Sequence, residues 1–207
     1  MRVILVCLLL AVSLSAQTRS LAVTSAQRRT LPEMVRDQNG PLNLQTGADP
    51  PPISLAELVR GSDIVIRGIV SESTSYLSPD LTDVYTDLTL DKVTFLYSAK
   101  RAARTMPGPP PSSTIVTQLG GTVTIGGHSV RKTHKNLLPL PRGTNAIFLL
   151  VQQNGKFFIA GKYLGVFGIE DNRVVPFTRT EWFAREHRGK IADQLIAEIV
   201  SIATATQ

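Results

Sequence analysis

Three histidines, four closely spaced aspartates and two basic clusters are the side chains of this chain with chemistry to offer. His128 and His134 lie near glycine turns, and His187 falls in the C-terminal segment. A zinc site from His128, His134 and Asp80 or Asp83 has suitable ligand types. It lacks the His-Glu-x-x-His spacing, or any helix-spaced pair, that puts two imidazoles on one side of a metal. Surface histidines are the expectation. Asp83, Asp87 and Asp91 share one strand parity with Tyr85 and Thr89, which predicts a polar outer face. Hydrolysis by paired carboxylates needs two such groups held across a cleft, and that pattern does not supply it. Ser129 follows Gly126-Gly127-His128, but no Gly-x-Ser-x-Gly elbow occurs. No catalytic residue, metal site or cofactor is assigned.

The cations are more suggestive. Lys100, Arg101 and Arg104 form one basic loop, and Arg131, Lys132 and Lys135 form another. Lys and Arg number 22 against 16 Asp and Glu, a formal charge of +6. Such a balance favours anionic surfaces, whether acidic protein, polymer or nucleic acid. Phe157, Phe158, Tyr163 and Phe167 offer rings for base stacking. Strand alternation should bury half of them, so nucleic acid is not the expected partner.

The elements that position these groups are mostly strands. Met1–Ala16 has a basic start, an apolar run and a small-residue exit, the layout of a secretory signal; cleavage after Ala22 or Ala26 also fits. The run is too short to span a bilayer, which takes about 20 apolar residues. An exported product, periplasmic or extracellular, is expected, with no transmembrane segment in the mature chain. The sole cysteine, Cys7, lies inside the signal, so the mature chain has no thiol chemistry and no disulfide. Residues 17–52 show no apolar period and are read as a flexible leader.

Order is expected from Ile53. Ser54-Leu55-Ala56-Glu57 is a capping box for a short helix, Leu55 to Arg60, stopped by Gly61. Asp63 to Glu72 is a β-branched strand, with Gly68 marking a bend or bulge. Asp83 to Tyr97 carries apolar residues on one parity through Leu90 and on the other from Val93. A bulge near Asp91-Lys92 is required to keep both halves facing one core. Ala99 to Ser113 reads as a basic, proline-rich loop. Ile115 to Leu119 and Thr122 to Ile125 are strands joined at Gly120-Gly121, and Ser129 to Arg142 reads as irregular. Asn154-Gly155 and Asp171-Asn172 each predict a hairpin. A C-terminal amphipathic helix, residues 178–203, opens with Thr180 as its cap, has Gly189 as a point of potential interruption and bears the stripe Ile191, Leu195, Ile199 and Ile202. The class is mainly β: a small antiparallel OB-like barrel over residues 53–177, between a short N-terminal helix and the C-terminal one.

Several segments together resemble a group of bacterial exported proteins of unknown function with an OB-like barrel. They are Ser54–Val59 with Ser62–Val70, then Gln118-Leu119-Gly120-Gly121, then Leu140-Pro141-Arg142-Gly143, Ile147–Leu150 and the hairpins from Gly155 to Val175. In that group the position of Arg142-Gly143-Thr144 often reads Gly-Glu, so Thr144 stands where an acid often does. The barrel type is similar to that of tissue inhibitors of metalloproteinases. Their amino-terminal cysteine and disulfides have no counterpart here. The resemblance implies a fold and no reaction. The expectation is a non-enzymatic module binding a protein or an anionic envelope polymer. A metal-dependent or other hydrolase, and a peptidase-inhibitor-like module, are the alternatives.

Overall fold

The computed structural model describes residues 29–48, 51–99 and 112–205. Residues 1–16, read as a secretory signal, and the predicted basic cluster of Lys100, Arg101 and Arg104 lie outside them. In chain order the elements are α1 (Leu31–Gln38), β1 (Leu42–Thr46), α2 (Leu55–Gly61), β2 (Ile64–Leu77), β3 (Val84–Ser98), β4 (Ser113–Leu119) and β5 (Gly121–Ile125). They continue with β6 (His128–His134), β7 (Asn145–Gln153), β8 (Lys156–Ile159), β9 (Val166–Glu170), β10 (Arg173–Pro176), α3 (Glu181–His187) and α4 (Ala192–Thr204). The described chain is mainly β, as its patterning predicts. No helix in it is long and apolar enough to cross a membrane.

Five strands close on themselves. β7 pairs with β2, β2 with β3, β3 with β4, β4 with β8 and β8 with β7. This is the small Greek-key barrel type. All but one of these pairings are antiparallel; β4 and β8 run parallel, through Val116↔Phe157 and Thr117↔Phe158. The expected mainly β fold with an antiparallel OB-like barrel is present as a ring, and its one parallel seam has a geometric reason. An odd number of strands cannot alternate direction around a closed ring. β9 and β10 extend the sheet beyond β7.

Ile64–Ile66 of β2 and Ala146–Val151 of β7 read as unbroken apolar runs because both faces of the sheet are covered there. Ile64, Ile66, Phe148 and Leu150 point into the barrel, beside Val70, Leu88, Leu90 and Val116. Val65, Ile147 and Leu149 face outward into a second core with Leu58, Phe167, Phe183, Leu195 and Ile199, which α2, α3 and α4 complete. The parity switch in β3 resolves as expected. Lys92 takes a left-handed φ of 53°, and the register against β2 shifts between Arg67 and Ile69. Gly68 sits in that irregularity, where an added Cβ would stand 3.3 Å from Leu90 Cβ. The hairpin at Asn154-Gly155 and the Asp171-Asn172 turn both have positive φ at each central residue, as type I′ turns demand.

Three expectations change. Residues 17–52, read as a flexible leader, contain α1 and β1. Thr30 and Glu33 form a reciprocal capping box, and Leu31 and Val35 seat against Val84 and Val130. The stretch from Ser129, read as irregular, begins as strand β6, which pairs antiparallel with β5 through the Gly126-Gly127 turn and parallel with β1. Together β1, β6 and β5 make a second, three-stranded sheet. The C-terminal helix is two helices, interrupted at the Gly189 break point that the sequence offers, whose φ is 79°. Thr180 does not cap α3 through its side chain; its hydroxyl is buried without a hydrogen-bond partner.

Candidate functional site

The three-stranded sheet meets the barrel where β4 turns into β5. Gly120 and Gly121 make that turn with positive φ, and a Cβ on Gly121 would lie 2.4 Å from both Ser75 Oγ and Thr86 Oγ1. Thr86 donates to the Gly120 carbonyl at 2.6 Å, and the Ser75 and Thr86 hydroxyls are 2.8 Å apart. These contacts clamp the small sheet to the barrel. Beside the clamp runs a groove of about 440 Å³, lined from β1 by Asn43 and Gln45, from β4 by Gln118, and by Arg131, Lys132, Thr133, His134, Lys135 and Arg179. Every member of the second predicted basic cluster lines this one groove.

Its cations have different duties. Arg131 and Lys132 are adjacent on β6, so their side chains leave opposite faces of the strand. Lys132 is mostly buried, ion-paired with Asp83 and donating to the Thr82 carbonyl at 2.6 Å. It braces β6 against the β2–β3 connection. Arg131, Lys135 and Arg179 are exposed at the groove. Arg179 comes from the segment before α3, where its backbone N–H donates to the Asn136 carbonyl at 2.9 Å. The groove therefore draws positive charge from β6, from the turn after it and from the C-terminal region.

Two groove residues are buried and polar. Gln118 is 8% exposed, and its Oε1 has no hydrogen-bond partner. An unmade hydrogen bond at a buried acceptor costs about 1–3 kcal/mol. His134 packs its ring 4.6 Å from that of Tyr163. Gly47 lies so close that an added Cβ would stand 2.2 Å from the imidazole. The Asn136 N–H donates to Nδ1 at 3.5 Å, and the Asn136 side-chain amide donates to the Tyr163 hydroxyl at 3.1 Å. Burial, then the nearby Lys162 charge, lowers the His134 pKa. A neutral ring suits the accepted hydrogen bond.

A second cavity, of about 490 Å³, opens along α3 and is lined by Thr178, Arg179, Glu181, Ala184, Arg185 and Arg188. Arg179 belongs to both cavities. Glu181 is engaged by Arg185 at 2.9 Å, an exposed i,i+4 pair of small energetic weight.

The residues weighed for hydrolysis are not assembled. His128 and His134 open and close β6, about 20 Å apart at strand rise. Asp80 is held by Ser78 and Thr82, whose hydrogen bonds lower its pKa to about 2. Asp83 serves Lys132. Asp87 accepts from the Tyr76 and Thr117 hydroxyls at 2.9 and 2.6 Å on the barrel's outer surface, where Lys156 donates to Tyr76 at 2.8 Å. Among the described residues no group of three His, Cys, Asp or Glu side chains is placed to hold a metal ion. The expectation of surface histidines is corrected, since His134 and His187 are both buried. His187 fills an aromatic niche between Phe167 and Phe183, and neither ring nitrogen has a hydrogen-bond partner. Of the rings considered for stacking, Tyr163 and Phe167 are core residues, and Phe157 and Phe158 are half-buried.

The sequence reading does not single out Arg179, Asn43 or Gln45, and names Gln118 only within the Gln118–Gly121 segment of the resemblance, with no role in binding. Gln118 carries a faint signal as the one amide in an otherwise β-branched and apolar strand. Arg179 carries none, because only the tertiary fold brings it to β6. Compared with known proteins, the chain matches no family model and no curated protein.

Proposed function

We propose that this chain is an exported, non-catalytic barrel that binds an anionic polymer outside the cytoplasm, in the groove between its two sheets. One observation carries the reading: Arg131 and Lys135, from β6 and the turn that follows it, line a single groove with Arg179, which comes from the distant segment before α3. Scattered surface cations would not converge in this way. The five-stranded ring supports kinship with the exported OB-like group, and the Met1–Ala16 layout supports export. Small barrels of this kind commonly bind extended polymers across one face and its flanking loops.

The test is retention of the protein on immobilised polygalacturonate over a salt gradient. Replacing Arg131 and Lys135 together by alanine is expected to move elution to markedly lower salt, because exposed charge pairs are screened over about 10 Å at 0.1 M salt. Replacing Arg36 and Arg60, exposed cations on α1 and α2, removes the same net charge and is expected to shift elution much less. Equal shifts from both pairs would show that net charge alone governs retention, and would remove the groove from the account.

A further inference from the structure

Within that anion-binding reading, we infer that the ligand is an acidic polysaccharide, whose repeats carry hydroxyls beside carboxylates, and that it runs from the groove past Arg179 onto α3. The first ground is Gln118. It lines the groove, is nine-tenths buried, and has a side-chain carbonyl with no donor. Its terminal torsion is soft, so the amide can turn toward a bound chain. A donor is what this oxygen lacks, and a sugar hydroxyl is one. An ionised polyphosphate offers only acceptors. The neutral lining agrees: Asn43, Gln45 and Thr133 present amides and a hydroxyl, which suit hydroxyl-rich chains better than bare anions. Among the described residues, the groove lining has no Phe, Tyr or Trp on which a nucleobase would stack.

The second ground is continuity. Arg179 is shared by the groove and by the cavity along α3, where Arg188 supplies further positive charge and Arg185 stands paired with the Glu181 carboxylate. A single small anion occupies one cavity. A chain long enough to reach both gains affinity by engaging the second site intramolecularly.

The experiment is calorimetric titration of the protein with a short and a long oligogalacturonate, and with a polyphosphate matched in charge to the long one. The expected order is long oligogalacturonate tightest, then short, then polyphosphate. Gln118→Met is expected to weaken oligogalacturonate binding about tenfold, the scale of one charged or buried hydrogen bond, while leaving polyphosphate binding unchanged. The double variant R185A/R188A alters only exposed side chains. It is expected to erase the advantage of the long ligand while sparing the short one. Polyphosphate binding as tightly as the long oligogalacturonate would overturn the sugar assignment. A long ligand with no advantage, or one untouched by R185A/R188A, would overturn the track. Both results leave groove binding intact if R131A still weakens every ligand. If R131A changes nothing, the anion-binding reading itself fails.

Discussion

At the scale of single residues, burial decides which titratable groups serve a ligand and which serve the fold. Lys132 is consumed by Asp83 and the Thr82 carbonyl, whereas Arg131, its neighbour, faces solvent. His187 is wholly buried against the Phe167 and Phe183 rings, with the Glu186 carboxylate 3.8 Å from Nε2, and burial lowers its pKa from the ordinary 6.5. Glu186 and Glu198 pull the other way and Lys190 reinforces the drop, both weaker than burial in sum. A base with a lowered folded pKa binds fewer protons folded than unfolded. Stability is therefore complete above about 6.5 and declines as pH falls from there toward the folded pKa. His134 acts with the same sign. The carboxylates with lowered pKa, Asp80, Glu33 and Glu57, lose their contribution only below about pH 4. Thermal melts between about pH 7.5 and about pH 5 should show a falling Tm in the wild type. In His187→Phe the fall should be visibly shallower, with His134 supplying what remains. An unchanged slope would show that His187 is not charged on unfolding in this range.

At the scale of elements, legibility followed the number of residues that repeat a pattern. The β2 and β7 runs, the α2 capping box, the two asparagine-bearing turns and the parity switch in β3 were all readable, because each is local and involves several residues. α1 was not, although its signals exist: Thr30 and Glu33 have capping-box spacing, with Pro32 in the first turn. Two helical turns show only Leu31, Met34 and Val35, an i, i+3, i+4 set that does not recur and so is too short to establish a period. Helices this short depend on tertiary packing, here on Val84 and Val130. β6 hid for a related reason. Its inward positions, Val130, Lys132 and His134, include two polar side chains that the surrounding fold satisfies. The cap remains energetically real. Thr30→Ala should lower stability by about 1 kcal/mol, read from denaturant unfolding. No change would mean that the α1 end frays in solution.

At the scale of the whole molecule, the candidate site belongs to neither sheet alone. The barrel supplies Gln118 and the Ser75–Thr86 clamp, the three-stranded sheet supplies Arg131, and the segment before α3 supplies Arg179. Half of the basic patterning foreseen in the chain lines this groove through Arg131, Lys132 and Lys135. The partnership with Arg179 rests on a backbone contact to Asn136 that no spacing rule encodes. Amide chemical-shift mapping of the full chain titrated with polygalacturonate tests that composite site most directly. The account predicts concerted shifts at Gln118–Thr122, Arg131–Lys135 and Arg179, with the Tyr76–Asp87–Lys156 face silent. Shifts confined to that outer face, or spread over all exposed cations alike, would contradict it.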